Sequence, residues 1–241
     1  MCSSDLWDVV EQCPGSIKLQ VVHPDGLGGF PGNKTISVRY SLTAAHDLKV
    51  EFEAVTDKPT PVNLAHHPFF NLKGSGEGDI LGHEMQIFAS GVSAVDENLI
   101  PLGRTVIIDG GPMDFRKPRP IGQFVDADDE QLHNGHGYDH NWIIDVDGAK
   151  AMSLDARVHD PVSGCILEVW SDQPGLQFYS GNFFGDGKTV DKYGNVIAYR
   201  GAFALETQKF PDAVHFPQFP DTILRPGEVY KHTCLYRFLS E

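Results

Sequence analysis

The sequence predicts an all-β protein, an antiparallel sandwich or barrel, from three features. Apolar and polar residues alternate with a period of two in many short runs. The runs are separated by turns drawn from 25 glycines and 16 prolines, and no stretch sustains a long helical periodicity. Side chains of an extended strand point alternately to its two faces, so such runs bury one face and wet the other.

In chain order, Ile36, Val38, Tyr40 and Leu42 alternate with Thr35, Ser37, Arg39 and Ser41, and Leu48, Val50, Phe52 and Ala54 alternate with Lys49, Glu51 and Glu53. The same reading predicts strands at Met85 to Phe88, Trp142 to Val146, Ile166 to Trp170 and Tyr230 to Leu239. Pro120 to Phe124 starts one short helix. The longest irregular stretch, Asp109 to Gly137, is polar and rich in Pro, Gly and acidic residues, so it is expected on the surface and at the border of a site.

With 241 residues, no internal repeat and no linker, residues 1–241 are read as a single domain large enough to bury a sizeable core. The content of 41% hydrophobic and 22% charged residues is that of a folded protein, and no apolar run approaches the roughly 18 residues of a membrane span. A formal net charge of -14 repels phosphate backbones and anionic lipid, which argues against nucleic acid and membrane partners and leaves neutral small molecules. Cys2, Cys13, Cys165 and Cys234 lie far apart with no Cys-x-x-Cys spacing and no secretory h-region ahead of them, so a reducing cytoplasm is the expected location. Cys165 and Cys234, among apolar neighbours, are read as small buried hydrophobes.

Four strings carry the functional signal: Asn63-Leu64-Ala65-His66-His67-Pro68-Phe69-Phe70-Asn71-Leu72, Gly137-Tyr138-Asp139-His140-Asn141, Pro174-Gly175-Leu176-Gln177-Phe178-Tyr179-Ser180-Gly181-Asn182 and Leu205-Glu206-Thr207-Gln208. In this order and at these intervals, with a fitting tail from Phe210 to Phe238, they resemble the aldose 1-epimerase (galactose mutarotase) family. The resemblance implies a large antiparallel β-sandwich, galactose mutarotase-like. It also implies an isomerase acting on a free aldose such as galactose or glucose, with Glu206 as catalytic base, His67 as catalytic acid, and Asp139 and Gln177 holding sugar hydroxyls.

The chemistry suits those residue types. Interconverting anomers requires a proton removed from the C1 hydroxyl and another delivered to the ring oxygen. Near neutral pH a carboxylate is a natural base and a histidine, with a reference pKa of about 6.5, a plausible acid. No metal or organic cofactor is required.

Strand alternation supports part of the assignment. It puts Gln177 and Tyr179 on one face with Leu176 and Phe178 on the other, and Ala204, Glu206 and Gln208 on one face with Phe203 and Leu205 in the apolar layer. A carboxylate so flanked is partly desolvated, which raises its pKa. Neighbours on a strand face opposite ways, so one histidine of His66-His67 is expected to be structural, as is one residue of Asp139-His140. Phe69, Phe70, Tyr138, Trp142 and Tyr179 are candidates to lie against the sugar ring, most of them simply packing.

Three other readings compete. His133, His136 and His140 lie close in sequence to Asp139 and could bind a metal, although Gly135 and Gly137 argue for an irregular loop without a preformed ligand set. A hexose-6-phosphate 1-epimerase would need a basic cluster, against the charge of -14. A non-catalytic carbohydrate-binding sandwich would keep the motifs without turnover. Finally, two elements usual in the family have no counterpart: an Asn-Arg pair, and a histidine in a Leu-His-Gly-Gly stretch. Leu6 to Val10 reads like the stretch just after that histidine, and Gly28-Gly29-Phe30-Pro31-Gly32 like the family's next turn. The expectation is an N-terminally truncated sandwich with an incomplete pocket, uncovered sheet edges and weak activity.

Overall fold

Every alternating run becomes a strand. The computed structural model describes residues 7–145, 152–191 and 193–241; Cys2, Leu6 and Val146, which entered the sequence readings, lie outside them. The strands are β1 (Asp8–Cys13), β2 (Ser16–His23), β3 (Lys34–Leu42), β4 (Leu48–Thr56), β5 (Thr60–Pro61), β6 (Phe69–Phe70), β7 (Glu84–Ile87), β8 (Ala89–Val95) and β9 (Pro101–Ile107). They continue with β10 (Arg119–Pro120), β11 (Asp139–Ile144), β12 (Ser153–His159), β13 (Cys165–Ser171), β14 (Gly175–Tyr179), β15 (Phe203–Gln208), β16 (Ile223–Leu224) and β17 (Tyr230–Ser240).

Among the described residues these form two principal antiparallel sheets. A nine-stranded sheet runs β1-β2-β3-β4-β17-β13-β12-β7-β10, and a six-stranded sheet runs β6-β15-β14-β11-β8-β9, with a small β16-β5 ribbon beside them. The two sheets share one apolar cluster. Val38, Val50, Phe52, Val158, Leu167, Val169 and Tyr236 enter it from the large sheet, and Val92, Trp142, Leu176, Phe178, Phe203 and Leu205 from the smaller one. Each such side chain fully removed from water contributes roughly 1.5–3 kcal/mol, which is what holds the layers together. Because the six-stranded sheet gives its apolar face to this core, its other face is free to carry polar groups.

The stretch from Asp109 to Gly137 departs from expectation. Rather than lying wholly on the surface it sends Met113, Phe115, Ile121, Val125 and Leu132 into the core. It also contains β10, a single 3-10 turn at Ile121–Gln123 where a short helix was expected, and an α-helix, α1 (Glu130–Gly135). Asp129 caps α1 by accepting from the amides of Gln131 and Leu132. Six residues are too few to show a helical period in the sequence. The Gln131 side-chain amide ties α1 to β8 by two hydrogen bonds with the backbone of Val95, at 2.8 and 3.1 Å. Cys234 is buried as expected. Cys165 is exposed, because it opens β13 opposite Ser240, where the sheet runs out into solvent.

Candidate active site

Three neighbouring strands of the six-stranded sheet build the site. Register sets Asn141 of β11 opposite Gln177 of β14, and Gln177 opposite Glu206 of β15, so a row of polar side chains crosses the sheet on the face away from the core. One step along, Asp139 lies opposite Tyr179, and Gly175 opposite Gln208. The faces follow the expected alternation: Leu176, Phe178, Phe203 and Leu205 are fully buried in the core, while Gln177 and Glu206 keep partial exposure.

Asp139, His140, Asn141, Gln177, Glu206 and Gln208 line a cleft of about 240 Å³ together with Ser93, Val95, Leu99, Pro101 and Pro211. They are joined to one another. The Gln177 amide donates to Asp139 Oδ1 at 2.8 Å, Gln208 donates towards Asn141 Oδ1 (3.3 Å) and Gln177 Oε1 (3.4 Å), and Asn141 donates to Ser93 Oγ at 3.1 Å. Gly175 leaves the space that Asn141 fills, since a Cβ there would stand 2.4 Å from Asn141 Oδ1. A bonded network of this kind holds each amide in one orientation.

His67 comes from outside the sheet, in segment 62–68, which belongs to no strand. Its Nε2 lies 3.2 Å from Glu206 Oε1, with the imidazole about half exposed and the carboxylate 13% exposed. His67 therefore stands beside the cleft, in contact with a group that lines it. Phe69 packs tilted at 4.7 Å from the His67 ring and is itself flanked by Phe184 at 5.0 Å and Tyr179 at 6.3 Å, making an aromatic wall on that side.

Burial sets the electrostatics. Glu206 is pushed up from 4.5 to about 7, chiefly because the carboxylate is desolvated and secondarily because the Asp139 charge repels it. Asp139 is raised too, again mainly by burial, against the opposing hydrogen bond from Gln177 and the attraction of His67. Two carboxyl groups with elevated proton affinity thus face one cleft, as expected of groups that exchange protons near neutrality.

The doubled pairs divide by burial: His66 is half-buried behind His67, and His140 is fully buried although it, like Asp139, lines the cleft. His66 turns inward between the rings of Tyr40 and Tyr236, and burial lowers its pKa to about 4. The pair lies ahead of β6 rather than within a strand. The ring of His140 is buried, with Nδ1 accepting from the Asp139 amide. Among the proposed sugar-facing aromatics, Phe70, Tyr138 and Trp142 pack in the core, whereas Phe69 and Tyr179 lie on the site side.

The metal reading disperses. His133 pairs with Asp128 at 3.5 Å, His136 packs on Phe183, and His140 is buried in the sheet. Among the described residues no group of three or more such side chains is placed to hold a metal ion. Ser93, Asn141 and Gln208 were not singled out as site residues from sequence. Their signal was present in part: Asn141 and Gln208 stand two positions after Asp139 and Glu206, and so share their faces.

A two-layer antiparallel sandwich carrying a carboxylate–histidine pair beside a polar cleft defines a mutarotase-like protein. Comparison with known proteins agrees. The sequence profile described as aldose 1-epimerase matches residues 3–237, and the chain belongs to that family. It is 43% identical over 222 residues to the galactose mutarotase of Rattus norvegicus, covering 92% of this chain and 62% of that protein. It is 35% identical over 237 residues to the aldose 1-epimerase of Escherichia coli K12, covering 98% of this chain and 67% of that protein. Among solved structures, a GalM/aldose epimerase homologue from C. elegans superimposes with a TM-score of 0.85 at 26% identity, over 97% of this chain and 68% of that one. The galactose 1-epimerase of Lactobacillus acidophilus does so with a TM-score of 0.81 at 28% identity, over 97% and 66%. The chain spans 62% of the length of the rat mutarotase it matches.

Proposed function

We propose that this chain carries the proton-transfer centre of an aldose 1-epimerase, interconverting the α and β anomers of a free hexose such as galactose or glucose. The observation that carries the reading is the 3.2 Å approach of His67 Nε2 to Glu206 Oε1 beside a polar cleft. Glu206, as carboxylate, takes the proton of the C1 hydroxyl. The electrons left on that oxygen form the carbonyl while the bond from C1 to the ring oxygen breaks. The ring oxygen keeps the bonding pair and takes a proton from His67. Rotation about C1–C2 presents the other carbonyl face, and the same steps in reverse close the ring. Asp139 and Gln177, already bonded to each other, hold sugar hydroxyls so that C1 lies within reach of the pair.

Several features support the choice of substrate and setting. Among the described residues lining the cleft there is no Lys or Arg, which favours a neutral sugar over a phosphorylated one. No helix among the described residues is long and apolar enough to cross a membrane. The described cysteines are unpaired, which supports a reducing cytoplasm. The larger apolar cluster, fed by both sheets, supports one domain.

Polarimetry on fresh α-D-galactose tests the roles. Glu206→Gln and His67→Asn should each lower kcat by about 10²–10⁴-fold, the usual contribution of a positioned acid or base, while sugar affinity stays within a few fold. Wild-type turnover in either variant would reject the assignment.

A further inference from the structure

The β6–β15 ladder ends at Phe69 opposite Ala204, two residues short of His67 and Glu206, and segment 62–68 itself pairs with no strand. One buried side chain bridges the two segments. His232 of β17 is fully buried, with Nδ1 at 2.9 Å from the carbonyl of Leu64 and Nε2 at 2.8 Å from the hydroxyl of Thr207. Leu64 lies three residues before His67, and Thr207 directly follows Glu206. A carbonyl only accepts, so Nδ1 carries the hydrogen and donates it, leaving Nε2 to accept from Thr207. The Leu64 carbonyl thus selects the neutral tautomer, and the Thr207 hydroxyl, able to donate or accept, matches it. The ring is further held against Phe52, 5.3 Å between centroids, and burial lowers its proton affinity.

From this we infer that His232 is a positioning residue: its rigid ring acts as a spacer that sets the distance between the segment bearing His67 and the strand bearing Glu206. The inference rests on reading those two residues as acid and base. Thr207 is buried and lies on the opposite face of β15 from Glu206, so Thr207 and His232 act on the reaction without touching a sugar in the cleft. Other ties join the same elements. Leu64 N–H donates to the Tyr230 hydroxyl at 3.2 Å, and the Asn63 side chain exchanges bonds of 2.8 and 2.9 Å with the backbone of Lys209. The Asn63 bonds are exposed, where water competes for them. The His232 ring is fully buried, and it has no torsion along its span.

Thr207→Val keeps the shape and removes the hydroxyl, Thr207→Ser keeps the hydroxyl, and His232→Asn keeps a donor for Leu64 but is too short to reach Thr207. Crystal structures of the three variants give a readout independent of activity. The His67 Nε2 to Glu206 Oε1 distance should widen by about 1 Å in Thr207→Val and His232→Asn and stay at its native value in Thr207→Ser. Misplacement of that size is expected to lower kcat by about 100-fold with KM within about two-fold, because Asp139 and Gln177 are untouched, whereas Thr207→Ser should keep nearly native turnover. An unchanged separation in Thr207→Val and His232→Asn would overturn the proposal, as would equal loss of turnover in Thr207→Val and Thr207→Ser. If Glu206→Gln and His67→Asn turn over normally, the acid–base reading has failed instead, and the measured separations still decide whether His232 sets the distance. Should Thr207→Val not fold, comparing His232→Asn with Thr207→Ser decides the question in the same way.

Discussion

Replacing Glu206 by glutamine removes a buried charge with little change of shape, and the site sets the size of the effect. In the folded protein this carboxyl protonates at about 7 rather than its ordinary 4.5, first because it is desolvated and then because Asp139 repels it. Between those two values the folded state holds a proton that the unfolded chain has released. The stabilisation from this linkage is therefore complete below pH 4.5 and is lost as pH rises through 7. At about 1.4 kcal/mol for each tenfold in proton affinity, the loss is about 3 kcal/mol. That figure is an upper value, because a protonated His67 at 3.2 Å returns part of it. Glutamine does not titrate, so Glu206→Gln should grow more stable relative to the native protein by up to about 3 kcal/mol between about pH 4.5 and about pH 8. Paired urea unfolding of the two proteins at several pH values measures this difference, and titrating groups not coupled to Glu206 cancel in the comparison. Repeating it in a His67→Asn background removes the imidazole offset. A difference that is flat with pH, or that falls as pH rises, would refute the claim that burial has raised Glu206.

Two further predictions concern the cleft. Asp139→Asn removes the repulsion that adds to the burial effect on Glu206, so the acid limb of the pH–rate profile, measured by polarimetry, should move to lower pH while sugar affinity weakens. Gly175→Ala would set a Cβ 2.4 Å from Asn141 Oδ1 and 3.1 Å from Phe210, displacing the Asn141 amide and with it the bond from Gln208. Calorimetry should show weaker sugar binding, and a native affinity would mean that Asn141 and Gln208 take no part in holding the sugar.

Much of this architecture could be read without coordinates because its signals are local. Tyr230, His232, Cys234 and Tyr236 alternate with Lys231, Thr233 and Leu235, and β17, paired between β4 and β13, buries the first set. The same alternation assigned Glu206 and Gln177 to the face opposite Leu205 and Phe178. Where the local signal was too short or ambiguous, the reading fell short. Helix α1 has six residues, β5, β6, β10 and β16 have two each, and Cys165 looks like a core residue until its place at the sheet margin is known.

The sequence by itself determined which residues could share a face, because the side-chain direction of a strand is fixed by its two-residue period. It also supplied the residue types suited to moving protons at a sugar carbon. Only the tertiary structure decided what those faces look onto. It brought His67 to 3.2 Å from a glutamate far along the chain, buried that glutamate enough to raise it to about 7, and put His232 between the two segments. Proton affinity and distance depend on what surrounds a group in space, and strand pairing between remote segments sets those surroundings.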